Sequence, residues 1–365
     1  SIDQAIEDGI DVMITVDCGI SNNQTALYAK ERNFCLIITD HHQDASAQLP
    51  DAFAIVNPNR RDEPADSELK PLAGVGVAFC LALQIKKIWE QENSCSIPSI
   101  YSLLQFVAIG TIADLAFLTP TNLKLVRHGL KQLPCSHYPG IKCFLSEDER
   151  LLPTVSSEKI AFQIGPMINS RGRLEHPELS VQLLCATQSE LAYNYLYQLE
   201  ENNFLRKKIQ EEVFNEAFEQ IKNNLSTENI NACIAYSPDW HEGVIGIVAS
   251  KLVGTFHVPS LVFTNASEEG VIKASARTAG NMNLFEELSK HSDLFLKFGG
   301  HKSAAGLSMP RENFELFKER FISELNKIPL ILRSNQSLYD EELKLSDINI
   351  SLVKSIEMME PFGMG

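Results

Sequence analysis

The sequence predicts an α/β protein of two domains: a parallel sheet with covering helices, a long connecting helix, and a second, smaller α/β domain. Three observations predict it. In the first 165 residues, apolar runs that are continuous rather than two-periodic alternate with helical patterns, as expected of strands buried in a parallel sheet. A helical pattern then runs from Ser189 to about Asn224, which corresponds to about 50 Å of helix. A second set of strands and helices begins near residue 230.

The elements follow in order. "IDVMITVDCGIS" (10–21) reads as a buried strand and a turn, and helical spacing follows from Asn22 to Arg32. "FCLIITDHH" (34–42) is a second buried strand, "AFAIVNPNR" (52–60) a third and shorter one, and "LAGVGVAFCLALQIKKIWEQE" (72–92) a glycine-started helix. More helix is expected over 100–133, a loop-rich stretch to about residue 158, and a Gly/Pro-punctuated connector over 164–178. In the long helix, Leu191, Tyr195, Leu199, Leu205, Ile209, Val213 and Phe218 recur three to six apart. Beyond it, "NACIAYSP", "PSLVFTN", "GVIKASAR" and "AAGLSMP" read as strands. "GVIGIVASKLVGTF" and "FELFKERFISELNKI" read as helices, and "NLFEELSKHSDLFLKFGGH" as a helix and then a turn. The expected division is 1–165, a connector over 166–225, 226–330, and a further element over 331–365.

The net charge of −15 argues against a protein that coats nucleic acid by charge alone. It leaves room for an enzyme with a local basic groove. Eight cysteines are scattered without a C-x-x-C pair, which disfavours a zinc ribbon. No apolar run reaches the ~18 residues of a membrane span, and no secretory signal is recognisable. The expectation is a cytoplasmic protein with free thiols and no membrane association.

The chemistry concentrates at strand ends. Asp17 follows "VMITV", Asp40, His41 and His42 follow "LIIT", and Asp114 lies in "TIADLA" after apolar residues. Functional groups of open parallel sheets gather at the carboxyl ends of strands. Carboxylates with an imidazole suit Mn²⁺ or Mg²⁺, and a pair of such ions clamps a phosphodiester and activates water. Taken singly, each residue also reads as an ordinary cap, turn or surface residue. A second set is polar and basic: Arg171 and Arg173 in "INSRGR", Ser275, Arg277 and Thr278 in "KASART", and the Gly-Gly turn before His301. Arginine forks and free amides are the groups that recognise phosphate.

"TVDCGIS", "TDHH", "IVNPNR", "LAGVGVAF" and "GTIADLAFLTPTNLKLVRHGL" resemble successive blocks of the DHH phosphoesterase superfamily. "GPMINSRGRL", "WHEGVIGIVASKLV", "KASART" and "FGGHKSAAGL" resemble its associated C-terminal domain. The resemblance covers nearly the whole chain and is nearest to a single-strand-specific 5′→3′ DNA exonuclease. It implies that Asp17, His41 and Asp114 are metal ligands, that Asp40 orients an imidazole, and that His42 faces the scissile phosphate. It implies that Arg173, Ser275 and Arg277 hold a 5′-terminal phosphate, with His301 near the nucleic acid. The implied reaction is two-metal hydrolysis with Mn²⁺ or Mg²⁺, releasing 5′-mononucleotides in DNA repair and recombination. Expected partners are single-stranded DNA and a single-strand-binding protein or helicase, with the protein itself a monomer.

The family's Asp-x-Asp pair does not occur before Asp17, and "ELKLSDINISLVKSIEMMEPFGMG" resembles the start of an oligonucleotide-binding domain. The chain is therefore expected to be a fragment, inactive on its own. Two alternatives follow: a phosphodiesterase for short oligonucleotides or cyclic dinucleotides, and a catalytically dead replication or repair scaffold.

Overall fold

The computed structural model describes residues 2–43, 48–170, 178–223, 231–334 and 339–364. It divides into two compact units. The first comprises Ser1–Asn169, Glu178–Tyr197 and Ser346–Gly365, and the second Ser170–Pro177 and Gln198–Leu345.

The first unit opens with α1 (Ile2–Glu7), β1 (Val12–Val16), α2 (Asn23–Glu31), β2 (Cys35–Thr39) and β3 (Ala54–Val56). The three strands are parallel in the order β1-β2-β3. Val16 lies opposite Thr39, and Thr39 opposite Val56, so the three carboxyl ends are flush. Leu36 and Ile38 of β2 are buried with Ile2, Ala26, Ala29 and Phe34. β1 departs from the expectation of a strand covered on both faces. It is an edge strand, and Val12, Ile14 and Val16 are exposed, Val16 by 61%. An apolar run reports hydrophobicity but not the number of neighbours a strand has.

Helices α3 (Gly74–Asn93), α4 (Leu104–Ala113) and α5 (Pro120–Gln132) follow. α4 is apolar nearly all round, and Leu104, Val107, Ala108, Ile109 and Ile112 are all buried, as befits a helix enclosed by others. The approach of α5 to α4 is close enough to demand glycine: a Cβ at Gly129 would sit 2.2 Å from the Leu104 carbonyl oxygen. The stretch expected to be loop-rich contains short helical turns at Pro139–Lys142, Glu149–Leu151 and Ser157–Lys159. Turns this short carry no periodic signal. A π-helical turn (Ile160–Ile164) and Gly165–Ile168 lead to α6 (Glu178–Leu184) and then to α7 (Ser189–Asn223), the long helix, of 35 residues. The first unit also takes in the end of the chain. Arg127 donates to the carbonyls of Met359 and Glu360 at 2.8 Å, and the Leu118 amide donates to the Met364 carbonyl at 2.7 Å.

The second unit contains β4 (Cys233–Tyr236), α8 (Glu242–Phe256), β5 (Ser260–Asn265), β6 (Val271–Arg277), α9 (Leu284–Ser289), β7 (Lys297–Gly300), β8 (Ala304–Pro310) and α10 (Phe314–Leu325). The sheet order is β4-β5-β6-β8-β7. β4 and β5 are parallel, and the other pairs are antiparallel. One core lies under α8, where Val244, Val248 and Leu252 meet Val213, Ala217 and Ile221 of α7. Another is aromatic and gathers Phe263, Phe314, Phe317 and Phe321. Where the sequence predicts a turn, β7 is a four-residue edge strand, paired from Lys297–Ser308 to Gly300–Ala305. Its two glycines hide its extended character. Gly300 has φ +155°, and a Cβ there would come within 2.5 Å of the Ala304 oxygen.

His291 is buried in the aromatic core, edge-on to Phe317 and Phe321 at ring distances of 5.8 and 6.0 Å. Its Nε2 finds no hydrogen-bond partner among the described residues. Burial pushes its pKa below 6.5; Glu324 and Asp293 oppose the shift, while Arg320 and Lys290 add to it. The unfolded chain therefore binds this proton more readily than the folded one. The sign of the linkage is stability present above the unfolded value near 6.5 and lost as pH falls toward the depressed folded value. His291→Phe is expected to flatten urea-denaturation stability between pH 7 and pH 5. An unchanged slope would show that His291 does not set it.

Candidate metal centre

Because the three strand ends are flush, the first residues beyond them are side by side: Asp17 after β1, Asp40 after β2 and Asn57 after β3. Each has a different task. Asp17 adopts φ +66°, a left-handed conformation that costs a non-glycine residue free energy but that aspartate tolerates better than most. The turn is braced where Thr15 Oγ1 donates to the Cys18 carbonyl at 2.7 Å. The strained backbone carries the Asp17 carboxylate toward His41, whose Nε2 lies 3.1 Å from Asp17 Oδ1. Gly74, the first residue of α3, makes room for it, since a Cβ at that position would sit 2.2 Å from Asp17 Oδ1.

Asp40 is only 1% exposed. Its Oδ2 accepts from the Ile20 amide at 2.9 Å, and its Oδ1 accepts from the amides of His41 (2.7 Å) and His42 (3.1 Å) and from the His42 ring Nδ1 (2.7 Å). Burial acts to raise its pKa, but these hydrogen bonds outweigh burial and hold the carboxyl below its usual range. The imidazole that Asp40 orients is thus that of His42, with Nδ1 as the donor; His41 receives only a backbone contact.

Asp114 caps the carboxyl end of α4, and Leu115 after it turns at φ +55°. Its Oδ2 stands 3.8 Å from His41 Nε2. Burial pushes the Asp114 carboxyl up, His41 pulls it down, and Asp17 adds to the rise. His41 lies between the two carboxylates. The Asp17 hydrogen bond raises its pKa most; burial opposes this, and the charges of Asp114, Asp17 and Asp40 add to the rise. One ligand atom each from Asp17, His41 and His42 lies within 4.8 Å of the others. Carboxylate oxygens and imidazole nitrogens converging in this way, with a glycine clearing space beside one of them, fit a divalent cation such as Mn²⁺ or Mg²⁺.

Sequence reasoning assigns no role to two neighbours. Asn57 is buried and donates to the His42 carbonyl at 2.9 Å. Asn59 donates to the His41 carbonyl at 2.6 Å and to that of Lys70 at 3.0 Å, and its amide donates to Asn57 Oδ1 at 2.7 Å. The two asparagines hold the peptide groups of both histidines. The rule that picks out Asp17 and Asp40, one residue past a buried strand, also picks out Asn57.

In the second unit, Ser275 and Arg277 alternate along β6 onto the face under α8. Arg277 Nη1 donates to Ser275 Oγ at 3.2 Å and to the Ala276 carbonyl at 2.8 Å. A Cβ at Gly246 of α8 would come within 2.9 Å of Ser275 Oγ and 3.0 Å of Arg277 Nη2, so this glycine leaves space above both side chains. His301 is exposed and follows β7 at the same end of the sheet, its amide bonded to the Ala304 carbonyl, while Ala304 pairs with Arg277. Arg171 and Arg173 lie outside the described residues.

Comparison with known proteins finds likeness along nearly the whole chain. Residues 1–111 match the DHH family, N-terminal domain, and residues 229–327 match the DHHA1 domain. The single-stranded-DNA-specific exonuclease RecJ of Salmonella typhimurium is 33% identical over 377 residues, covering 99% of this chain and 64% of that protein. RecJ of Escherichia coli is 35% identical over 332 residues, covering 88% of this chain and 57% of that protein. The chain thus spans less than two thirds of the length of these curated relatives. The crystal structure of RecJ from Thermus thermophilus in complex with Mn²⁺ has a TM-score of 0.84 at 27% identity, over 100% of this chain and 52% of that one. With both domains in place and the likeness running almost from end to end, this chain is a homologue of RecJ that joins a DHH-family domain to a DHHA1 domain.

Proposed function

We propose that the chain forms the catalytic part of a single-strand-specific 5′→3′ DNA exonuclease that hydrolyses phosphodiesters with Mn²⁺ or Mg²⁺ and releases 5′-mononucleotides. The observation that carries this reading is the convergence of Asp17, His41 and Asp114, with His42 beside them, beyond flush parallel strands. Asp17, His41 and Asp114 would hold the divalent cation. When bound, that ion supplies Lewis-acid polarisation of the phosphate and a more acidic water. Asp40 fixes the His42 ring through Nδ1, which leaves Nε2 to face the scissile phosphate. Asn57 and Asn59 keep both histidine peptides in place. Ser275 and Arg277, with Arg173 and His301, would hold the 5′-terminal phosphate of single-stranded DNA. A single-strand-binding protein or a helicase would be the protein partner, and the chain would act as a monomer.

Binding tests this without requiring turnover. With Mn²⁺ present, a 5′-phosphorylated single strand should bind more tightly than the same strand with a 5′-hydroxyl. Arg277→Ala should erase most of that preference, a loss of about 1.5–3 kcal/mol for a charge-assisted contact. Equal affinity for both ends in the unaltered chain would sink the phosphate assignment. A separate prediction concerns the histidine peptides. Asn57→Ala should weaken Mn²⁺ binding by about tenfold or more, because Asn57 Oδ1 anchors Asn59, which holds the peptide of the ligand His41. Titration calorimetry showing unchanged affinity would mean that the DHH segment holds its shape without Asn57.

A further inference from the structure

A hollow of about 450 Å³ opens directly beside the carboxylates of Asp17 and Asp114. Its walls are Val75 of α3, Phe106 and Ile109 of α4, Ile168, and Leu184 of α6, and among the described residues Asn169 is its one uncharged polar side chain. We propose that this hollow seats the nucleobase of the nucleotide whose phosphate lies at Asp17 and Asp114. The inference rests on the phosphodiesterase reading above and adds to it a site for the base.

Three features favour a nucleobase. The first is position: the nucleoside of a phosphate held at the two carboxylates is one covalent bond away, and the hollow is the space adjoining them. The second is size and character. The volume lies within the range of small-ligand sites, and such sites pair apolar walls with few polar groups. A base has apolar faces and a polar edge. Phe106 offers a ring whose orientation is set by edge contact with Tyr138 at 5.0 Å, and Tyr138 is itself held by Ser102 at 3.0 Å. The third is tolerance. The one amide, Asn169, both donates and accepts, so the hollow can meet any base edge, and an aromatic face stacks on every base. An exonuclease that must pass every nucleotide in turn needs such indifference. A second hollow of about 360 Å³, lined by Ala29, Lys30, Cys35 and Leu36, lies at the amino end of β2, away from the carboxylates, and does not compete.

The test compares two probes that share a phosphate and differ in the base. The chain with Mn²⁺ is titrated calorimetrically with deoxyadenosine 5′-monophosphate and with deoxyribose 5-phosphate. The expected result is a nucleotide preference of about tenfold, the scale of one stacked base. Leu184→Trp, which fills the hollow, should bring the ratio to within twofold of one. Should that variant lose its cooperative thermal transition, Phe106→Leu reads the same ratio with the apolar volume nearly kept and is expected to lower it at least threefold. The four common deoxynucleotide 5′-monophosphates should bind within about fivefold of one another. Mn²⁺-dependent binding of both probes with a ratio of one, or a ratio that survives both variants, overturns the base site and leaves the phosphodiesterase reading standing. Failure of both probes to bind overturns both readings.

Discussion

Asp17→Gly is expected to leave the chain more stable than Asp17→Ala by about 1 kcal/mol, while both lose Mn²⁺ binding by more than about 100-fold. The two substitutions remove the same carboxylate and the same contact with His41. They differ in what φ +66° costs the backbone, set against the larger unfolded-chain entropy that glycine loses on folding. Residues held in such a conformation are found where function needs the side chain and the surrounding structure over-determines the turn. Here the Thr15–Cys18 hydrogen bond and the Asp40–Ile20 hydrogen bond brace it from either side. The loss of metal affinity exceeds that for a partner lying behind a ligand, which is about 10- to 100-fold, because a donor atom itself is gone. Urea denaturation and Mn²⁺ titration of both variants decide the matter. Equal stabilities would show that strain in the left-handed turn at Asp17 does not exceed glycine's entropic cost, and Mn²⁺ affinity within tenfold of the parent chain would remove Asp17 from the metal site.

Much of this site is legible in the sequence, for a physical reason. Parallel strands display their period and their ends in one dimension, so Asp17 and Asp40–His42 mark themselves as strand-end residues in the linear pattern alone. The long helix is equally visible, because 35 residues of unbroken helical spacing admit few other readings. What escapes is whatever depends on pairing across the chain. The exposure of β1 depends on which strands flank it. β7 exists because β8 pairs with it, and no local pattern in Lys297–Gly300 announces that. Gly74 reads as a helix-start glycine, yet its role is to leave room for a carboxylate 57 positions earlier. The hollow lined by Val75, Phe106, Ile168 and Leu184 draws on segments more than 100 residues apart and has no counterpart in the linear pattern. Even within Asp-His-His, adjacency does not say which imidazole the aspartate holds. The hydrogen-bond geometry selects His42.

Asp40→Ala is expected to cost about 3–5 kcal/mol of unfolding free energy, the scale of leaving several buried donors without their shared acceptor. The side chain is buried and accepts three backbone amides and a ring N–H. Alanine would leave those donors facing a void, each at about 1–3 kcal/mol unless water enters. Asp40→Asn is milder but cannot be neutral. An amide keeps one acceptor and turns the other into a donor, so either the Ile20 amide or the His41–His42 set meets another donor. The pH dependence follows from the depressed carboxyl pKa. Stability from Asp40 is fully present above the unfolded value of about 3.9 and is lost as pH falls through the lower folded value. The parent chain should therefore lose stability in acid that Asp40→Asn, having no proton to bind there, does not lose by this route. Unfolding curves at pH 7 and at several points below pH 4, together with the ¹⁵N shifts of the His42 ring, test both halves. A penalty under about 1 kcal/mol for alanine, with the His42 tautomer unchanged, would mean that the turns after β1 and β2 are held by their own backbones. The Asp40 carboxylate would then fix neither those turns nor the His42 ring.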